Sequence, residues 1–139
     1  MVPAHPARNP YGAAMHLRAL PGTFALCRLE GAEELPDWFR LRPPLAAAIR
    51  RADELSLVAP VEAVPKGVVA EHGWRALEVA GPLALEMTGV MADLAGALAD
   101  ARISVMPLAT YDTDVILVRD ERLRDAAAAL RDAGHTVEA

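Results

Sequence analysis

The sequence predicts an α+β fold of two βαββαβ units in tandem, the first with stunted helices. Three observations lead there. Apolar residues at Met87, Met91, Leu94, Leu98 and Ala101 recur at gaps of 4, 3, 4 and 3, which is one face of a helix. Short apolar runs bounded by turn residues stand on either side of that helix. The order β-α-β-β-α-β over residues 74–139 is echoed over residues 22–72 in the order of elements alone, with no visible repeat of sequence.

Composition narrows the function classes. The chain has 139 residues, enough for one compact domain or two small subdomains. Hydrophobic residues make up 53% and aromatic residues 4%, so aliphatic side chains and alanine must fill the core. The net charge of −5 argues against a nucleic-acid partner or an anionic membrane surface, both of which call for clustered Lys and Arg. The pairs Arg50-Arg51 and Arg122/Arg124 read as solvated faces. A single cysteine, Cys27, excludes a disulfide within the chain, fits a cytoplasmic setting and reads as a small core hydrophobe. No apolar run approaches the roughly 20 residues of a membrane span.

Residues 1–17 hold three prolines, show little periodicity and lack the pattern of a signal peptide. They are expected to form a flexible arm, with Met15 as an alternative native start. Residues 18–72 and 73–139 are expected to be the two subdomains.

Residues 23–30, "TFALCRLE", read as a strand entered from the Pro21-Gly22 turn. Residues 33–39 read as a short helical turn with Trp38 and Phe39 packed inward. Residues 45–60 read as a hairpin turning at Ala52-Asp53-Glu54. Alanine would allow a helix in "LAAAIRRA", but Pro43-Pro44 before it and the apolar "LSLVA" after it suit strands. Residues 61–65 are a second stunted helix, and residues 67–81 two strand segments parted by Gly73. The long helix covers residues 85–101. Residues 103–109 form a strand, with Pro107 placing it at an edge or at a bulge. Residues 115–118, "VILV", are its antiparallel partner. A second helix follows, with Asp120 as N-cap and Gly134 as its stop, and "HTVEA" closes as a short strand.

The chemistry concentrates in two segments. Thr88, Gly89 and Val90 stand near the start of the long helix, where free backbone N–H groups and the helix dipole attract a carboxylate. Gly89 lets a ligand approach the backbone. Residues 110–114, "TYDTD", supply hydroxyls and carboxylates between two buried-looking runs. Their carboxylates suit an ammonium or guanidinium group. Together the segments make a clamp for a zwitterion. The bland readings stand beside this one: Asp112 as a turn residue, Thr88 as a helix-start residue, the methionines and tryptophans as core. His5, His16, His72 and His135 are scattered without metal-ligand spacing, so no metal and no cofactor are expected.

The stretch "MTGVMADLAGALADARISVMPLATYDTDVILV", with "ADELSLVAP" and "LPGTFALCRLE" upstream, resembles the ACT domain, a small ferredoxin-like βαββαβ module that binds amino acids and regulates metabolic enzymes. It is similar to stand-alone bacterial tandem ACT proteins and to the ACT pairs of cytosolic arginine sensors and aspartate kinase regulatory regions. The resemblance runs from about residue 17 to residue 137. By position it implies Gly89, Val90, Met91, Thr110, Tyr111 and Asp114 as ligand-binding residues at an interface between ACT units. Asp114 falls where the arginine-sensing relatives meet the ligand's basic end. One departure is Ala101-Arg102-Ile103, where bacterial ACT domains usually have Ala-Gly-Ile.

The resulting expectation is a non-catalytic regulatory or sensory protein that binds an amino acid or related metabolite, and a homodimer. No acid–base pair, nucleophile pair or metal cluster with defensible spacing points to an enzyme. The rival reading is an interaction subunit with a vestigial pocket that assembles through its sheet edges.

Overall fold

The computed structural model of the chain describes residues 14–81, 83 and 89–139. Two compact units divide it. One is Leu20–Ala76; the other joins the described residues up to Ala19 with Leu77–Ala139. The second unit is thus discontinuous in sequence.

In the Leu20–Ala76 unit, β2 (Phe24–Glu30) pairs antiparallel with β4 (Glu54–Pro60), and β4 with β3 (Ala47–Arg50). On its other side β2 pairs with the first part of β5 (Val69–Val79). Alternation puts Ala25 and Cys27 of β2 and Leu55, Leu57 and Ala59 of β4 into one core with Phe39. Burial there pushes the Cys27 thiol above its ordinary pKa. The hairpin expected over residues 45–60 forms, with Arg51 N–H donating to the Glu54 carbonyl (2.8 Å) across the tip.

Two local expectations change. The two strand segments around Gly73 are a single strand. Leu26 faces Glu71 and Phe24 faces Trp74, so two steps along β2 meet three along β5, a bulge that Gly73 absorbs at φ +80°. Residues 33–39 are not a helical turn. Phe39 N–H donates to the Pro36 carbonyl (3.0 Å) in a tight turn, and Trp38 meets Phe39 edge-on at 6.4 Å. So short a segment cannot repay helix nucleation. The second stunted helix does form, as a 3-10 turn at Val61–Ala63.

In the other unit, β1 (His16–Ala19) runs antiparallel to the end of β5, with Leu17 opposite Val79, and parallel to β8 (Thr136–Glu138), with Leu17 opposite Val137. β7 (Asp114–Arg119) joins β5 to β6 (Met106–Ala109). The order is therefore β6-β7-β5-β1-β8. Helices α1 (Val90–Asp100) and α2 (Leu123–Asp132) cover one face, where Leu94, Leu98, Ala127 and Leu130 meet Leu17, Val79, Ile116 and Val118.

Strand β1 starts inside the segment read as an arm. Its one fully buried residue is Leu17, with Ala19 packed partly against the same core, and its partners lie about 60 and more residues along the chain, beyond any local pattern. β6 is shorter than expected because Ile103 serves the end of α1, its N–H donating to the Leu98 carbonyl (2.9 Å). Among the described residues β6 pairs only with β7, which puts Pro107 on an outer strand there. Asp120 is not at the N-cap position of α2. It opens a 3-10 turn, Asp120–Arg122, that leads into the helix, and Arg122 stands at the cap position. Met87 lies outside the described residues.

Candidate functional site

The expected site has two parts, both in the discontinuous unit. The first is the start of α1. Gly89 is its N-cap, at φ +80° and ψ −1°, and accepts the Asp93 N–H (2.9 Å) to close the first turn. Gly89 itself brings no side chain to cap this end. The N–H groups of Val90 and Met91 belong to that first turn and have no partner within the helix. Val90 points its side chain into the core, and Met91 packs partly against it. Both therefore offer backbone rather than side chain to a ligand. Thr88 lies outside the described residues.

The second part is the β6–β7 hairpin. Ala109 pairs with Asp114, and the tip is drawn shut by Thr110. Thr110 N–H donates to the Thr113 carbonyl (2.8 Å); the Thr110 hydroxyl donates to the same carbonyl and accepts the Thr113 N–H (3.0 Å each). That hydroxyl is thus occupied within the turn. Tyr111 stands 81% exposed at the tip, and Asp112 is exposed beside it. Asp114 is half-buried, and its carboxylate makes no hydrogen bond or ion pair among the described residues.

The structure anchors this hairpin from a direction the sequence reading passed over. Leu83 N–H donates to the Asp112 carbonyl (2.7 Å), and the Thr113 hydroxyl donates to the Val79 carbonyl (2.7 Å). Gly81 sits so close that a Cβ there would lie 3.0 Å from the Asp112 carbonyl oxygen and 3.2 Å from Thr113 Cβ. Its signal was present in Gly81-Pro82, a tight-turn pair directly after a strand, but nothing local named the hairpin as its neighbour. The tip is thus tied to the segment that leads from β5 toward α1. Thr110, Asp112 and Thr113 come together with Gly81 and Leu83.

No cluster of three or more His, Cys, Asp or Glu that could hold a metal occurs among the described residues. No described helix is long and apolar enough to cross a membrane.

A family model described as ACT domain matches residues 69–132, which span β5 to α2. A solved protein from Agobacterium tumefaciens is 29% identical, with 91% of this chain and 93% of that chain covered and a TM-score of 0.85. A protein of unknown function from Vibrio cholerae, described as a possible transport protein, is 27% identical over 88% of this chain and 91% of its own, with a TM-score of 0.71. The regulatory subunit of aspartate kinase from Thermus flavus is 14% identical and shares the fold, with 84% of this chain and 99% of that chain covered and a TM-score of 0.53. No curated protein matches.

Proposed function

Because the chain carries an ACT domain, we propose that it is a non-catalytic regulatory or sensory protein that binds an amino acid or a related small metabolite. The observation that supports this most is the span of the match: residues 69–132 include both candidate segments, the start of α1 and the β6–β7 hairpin. The chemistry fits a zwitterion. The ligand's carboxylate takes the free N–H groups of Val90 and Met91 at the positive end of α1. Its ammonium or basic end faces Asp114, whose carboxylate lacks a partner among the described residues. Tyr111 closes over the ligand from the hairpin tip, and Asp112 borders the site. Thr110 acts through the shape of the turn, since its hydroxyl is already engaged.

A second copy completes the assembly as a homodimer. The outer strand β3 has an edge to cover, and Ile49, 55% exposed on it, favours an apolar contact there.

A thermal-shift screen against the proteinogenic amino acids and related metabolites tests the proposal. A ligand at 100 times its dissociation constant stabilises by about 2.7 kcal/mol, a shift of several degrees for a protein of this size. One clear hit supports the sensor and names its ligand. A flat screen overturns it in favour of the rival, a subunit that assembles through its sheet edges with a vestigial pocket, and light scattering then reads the assembly.

A further inference from the structure

A buried ionisable pair lies directly beneath the candidate site and takes no part in binding. His135 Nε2 is 2.8 Å from Asp93 Oδ2, and the two side chains are 1% and 2% exposed. They approach as opposite partial and full charges rather than along a hydrogen-bond axis, and Asp93 Oδ1 has no partner among the described residues. Leu94, next to Asp93, and Val137, two residues beyond His135, belong to the buried apolar core of the same unit. A carboxylate in such surroundings is costly, and the cost falls only with a partner held in place.

Both members are fixed by backbone. Asp93 closes the first turn of α1 through its N–H to the Gly89 carbonyl (2.9 Å). His135 follows the left-handed Gly134 that ends α2, and its own N–H donates to the Leu130 carbonyl (3.0 Å). The far side of the ring is also engaged: Met15 N–H donates to His135 Nδ1 (2.9 Å). Since Nδ1 accepts, the ring proton belongs on Nε2, the nitrogen that faces Asp93. Met15 is held on its other side too, its carbonyl accepting the Thr136 N–H (2.9 Å). Directly after it comes β1.

The geometry points to a coupling role for this pair: Asp93 and His135 connect the ligand-facing start of α1 to the seating of β1, so that ordering one orders the other. The inference rests on the proposed site for its functional meaning. One rigid imidazole bridges the two, with the first turn of α1 on Nε2 and the entry to β1 on Nδ1. A shift of the turn that carries residues 89–91 moves Asp93 and, through the ring, loosens or tightens the hold on Met15. Coupling of this kind is reciprocal, so disturbing β1 must also weaken the first turn of α1. Asp93 and His135 are positioning residues here; neither touches the ligand.

Amide hydrogen exchange on the full chain tests this from both ends and needs no ligand. Met15→Pro removes the donor to Nδ1 but also a buried side chain of the core, so Met15→Ala, which loses that side chain and keeps the N–H, is its control; both leave Asp93 and His135 in place. The expected result is exchange at the Asp93 amide faster by roughly tenfold, with the Ile116 amide of β7 unchanged. Asp93→Leu, read in the opposite direction, should speed exchange at Met15 by a similar factor. An Asp93 amide indifferent to Met15→Pro overturns the coupling. So does a rise at Ile116 equal to that at Asp93 in Met15→Pro, or to that at Met15 in Asp93→Leu, which reports global loss of stability. A 15N spectrum of the ring showing the proton on Nδ1 in the wild-type chain also overturns it. None of these outcomes depends on the amino-acid screen, so a flat screen would remove the proposed ligand and leave the coupling to stand or fall separately.

Discussion

Arg102 and Gly134 occupy the same place in two helix ends. Each is the left-handed residue after its helix, at φ 58° and φ 98° respectively. Each N–H reaches back into the last turn, to Ala99 after α1 and to Arg131 after α2 (2.9 Å each). The residue beyond each, Ile103 or His135, reaches further back, to Leu98 or Leu130. These are two complete Schellman ends. The departure Ala101-Arg102-Ile103 therefore leaves the turn unchanged and puts an arginine where glycine is at ease.

Arg102→Gly should stabilise the protein. Arg102 is exposed, and a non-glycine residue in the left-handed region costs about 1 kcal/mol. Urea unfolding should show a higher midpoint with an unchanged slope. Gly134→Ala should lower it by a comparable amount. An equal effect of opposite sign at the two positions is the signature of the shared geometry.

Gly31→Ala should destabilise by roughly 1–3 kcal/mol. A Cβ at Gly31 would stand 2.2 Å from the Ala52 carbonyl oxygen, at the tip of the β3–β4 hairpin, where backbone must give way. The Arg50 guanidinium, which donates to the Gly31 and Glu33 carbonyls, would be displaced with it. Thermal melting of the variant measures the loss.

Glu54 gives the molecule an acid-sensitive contact. Hydrogen bonds from Arg51 (2.7 Å) and then Ser56 (3.1 Å) hold its carboxyl below the usual carboxylate range. A group depressed in the folded state contributes stability above its unfolded pKa and loses it as pH falls through the folded value. Arg51→Ala should move the Glu54 titration up toward the ordinary range, read from the side-chain carboxyl carbon by NMR. An unmoved titration would remove Arg51 as the cause.

Asp114→Asn should weaken a basic ligand by about tenfold or more while leaving the melting temperature of the free protein unchanged, because the carboxylate has no partner among the described residues to lose. Calorimetry with the ligand found in the screen measures this. Gly89→Leu is a poorer probe than the sequence suggests. Gly89 adopts φ +80°, so any side chain there strains the helix start by about 1 kcal/mol before it meets a ligand.

The fold was most legible where burial imposes a period. "TFALCRLE" alternates and forms β2; "VILV" is buried throughout and forms β7; the 3-4 spacing of Met91, Leu94 and Leu98 is the packed face of α1. It was least legible where a partner far along the chain decides the outcome. Leu17 has one inward side chain to show and needs Val79 and Val137 beside it. Of the candidate site, the helix start and the hairpin could be read, because glycine and clustered Thr and Asp have short-range meaning. Gly81, Leu83 and the hydroxyl of Thr113 could not, since their roles exist only once β5 lies beside β7. Asp93 was hidden in an apolar helix face, and His135 had no neighbour in sequence to reveal its partner.

The wedging of β1 between β5 and β8 has a consequence for how the chain comes to be folded. Residues 16 and 136 are 120 positions apart, yet the His16 ring nitrogen Nδ1 and the Thr136 hydroxyl meet at 2.6 Å. During synthesis β1 leaves the ribosome well before either neighbour exists. Leu20–Ala76 emerges next, with its strand pairings all close in sequence, and can condense first. β1 must wait, its Leu17 uncovered, until the last strand is released. Closing so long a loop is slow. The strand made first is among the last to be placed, and truncating the chain by its final few residues should leave β1 with half its partners and nowhere to settle.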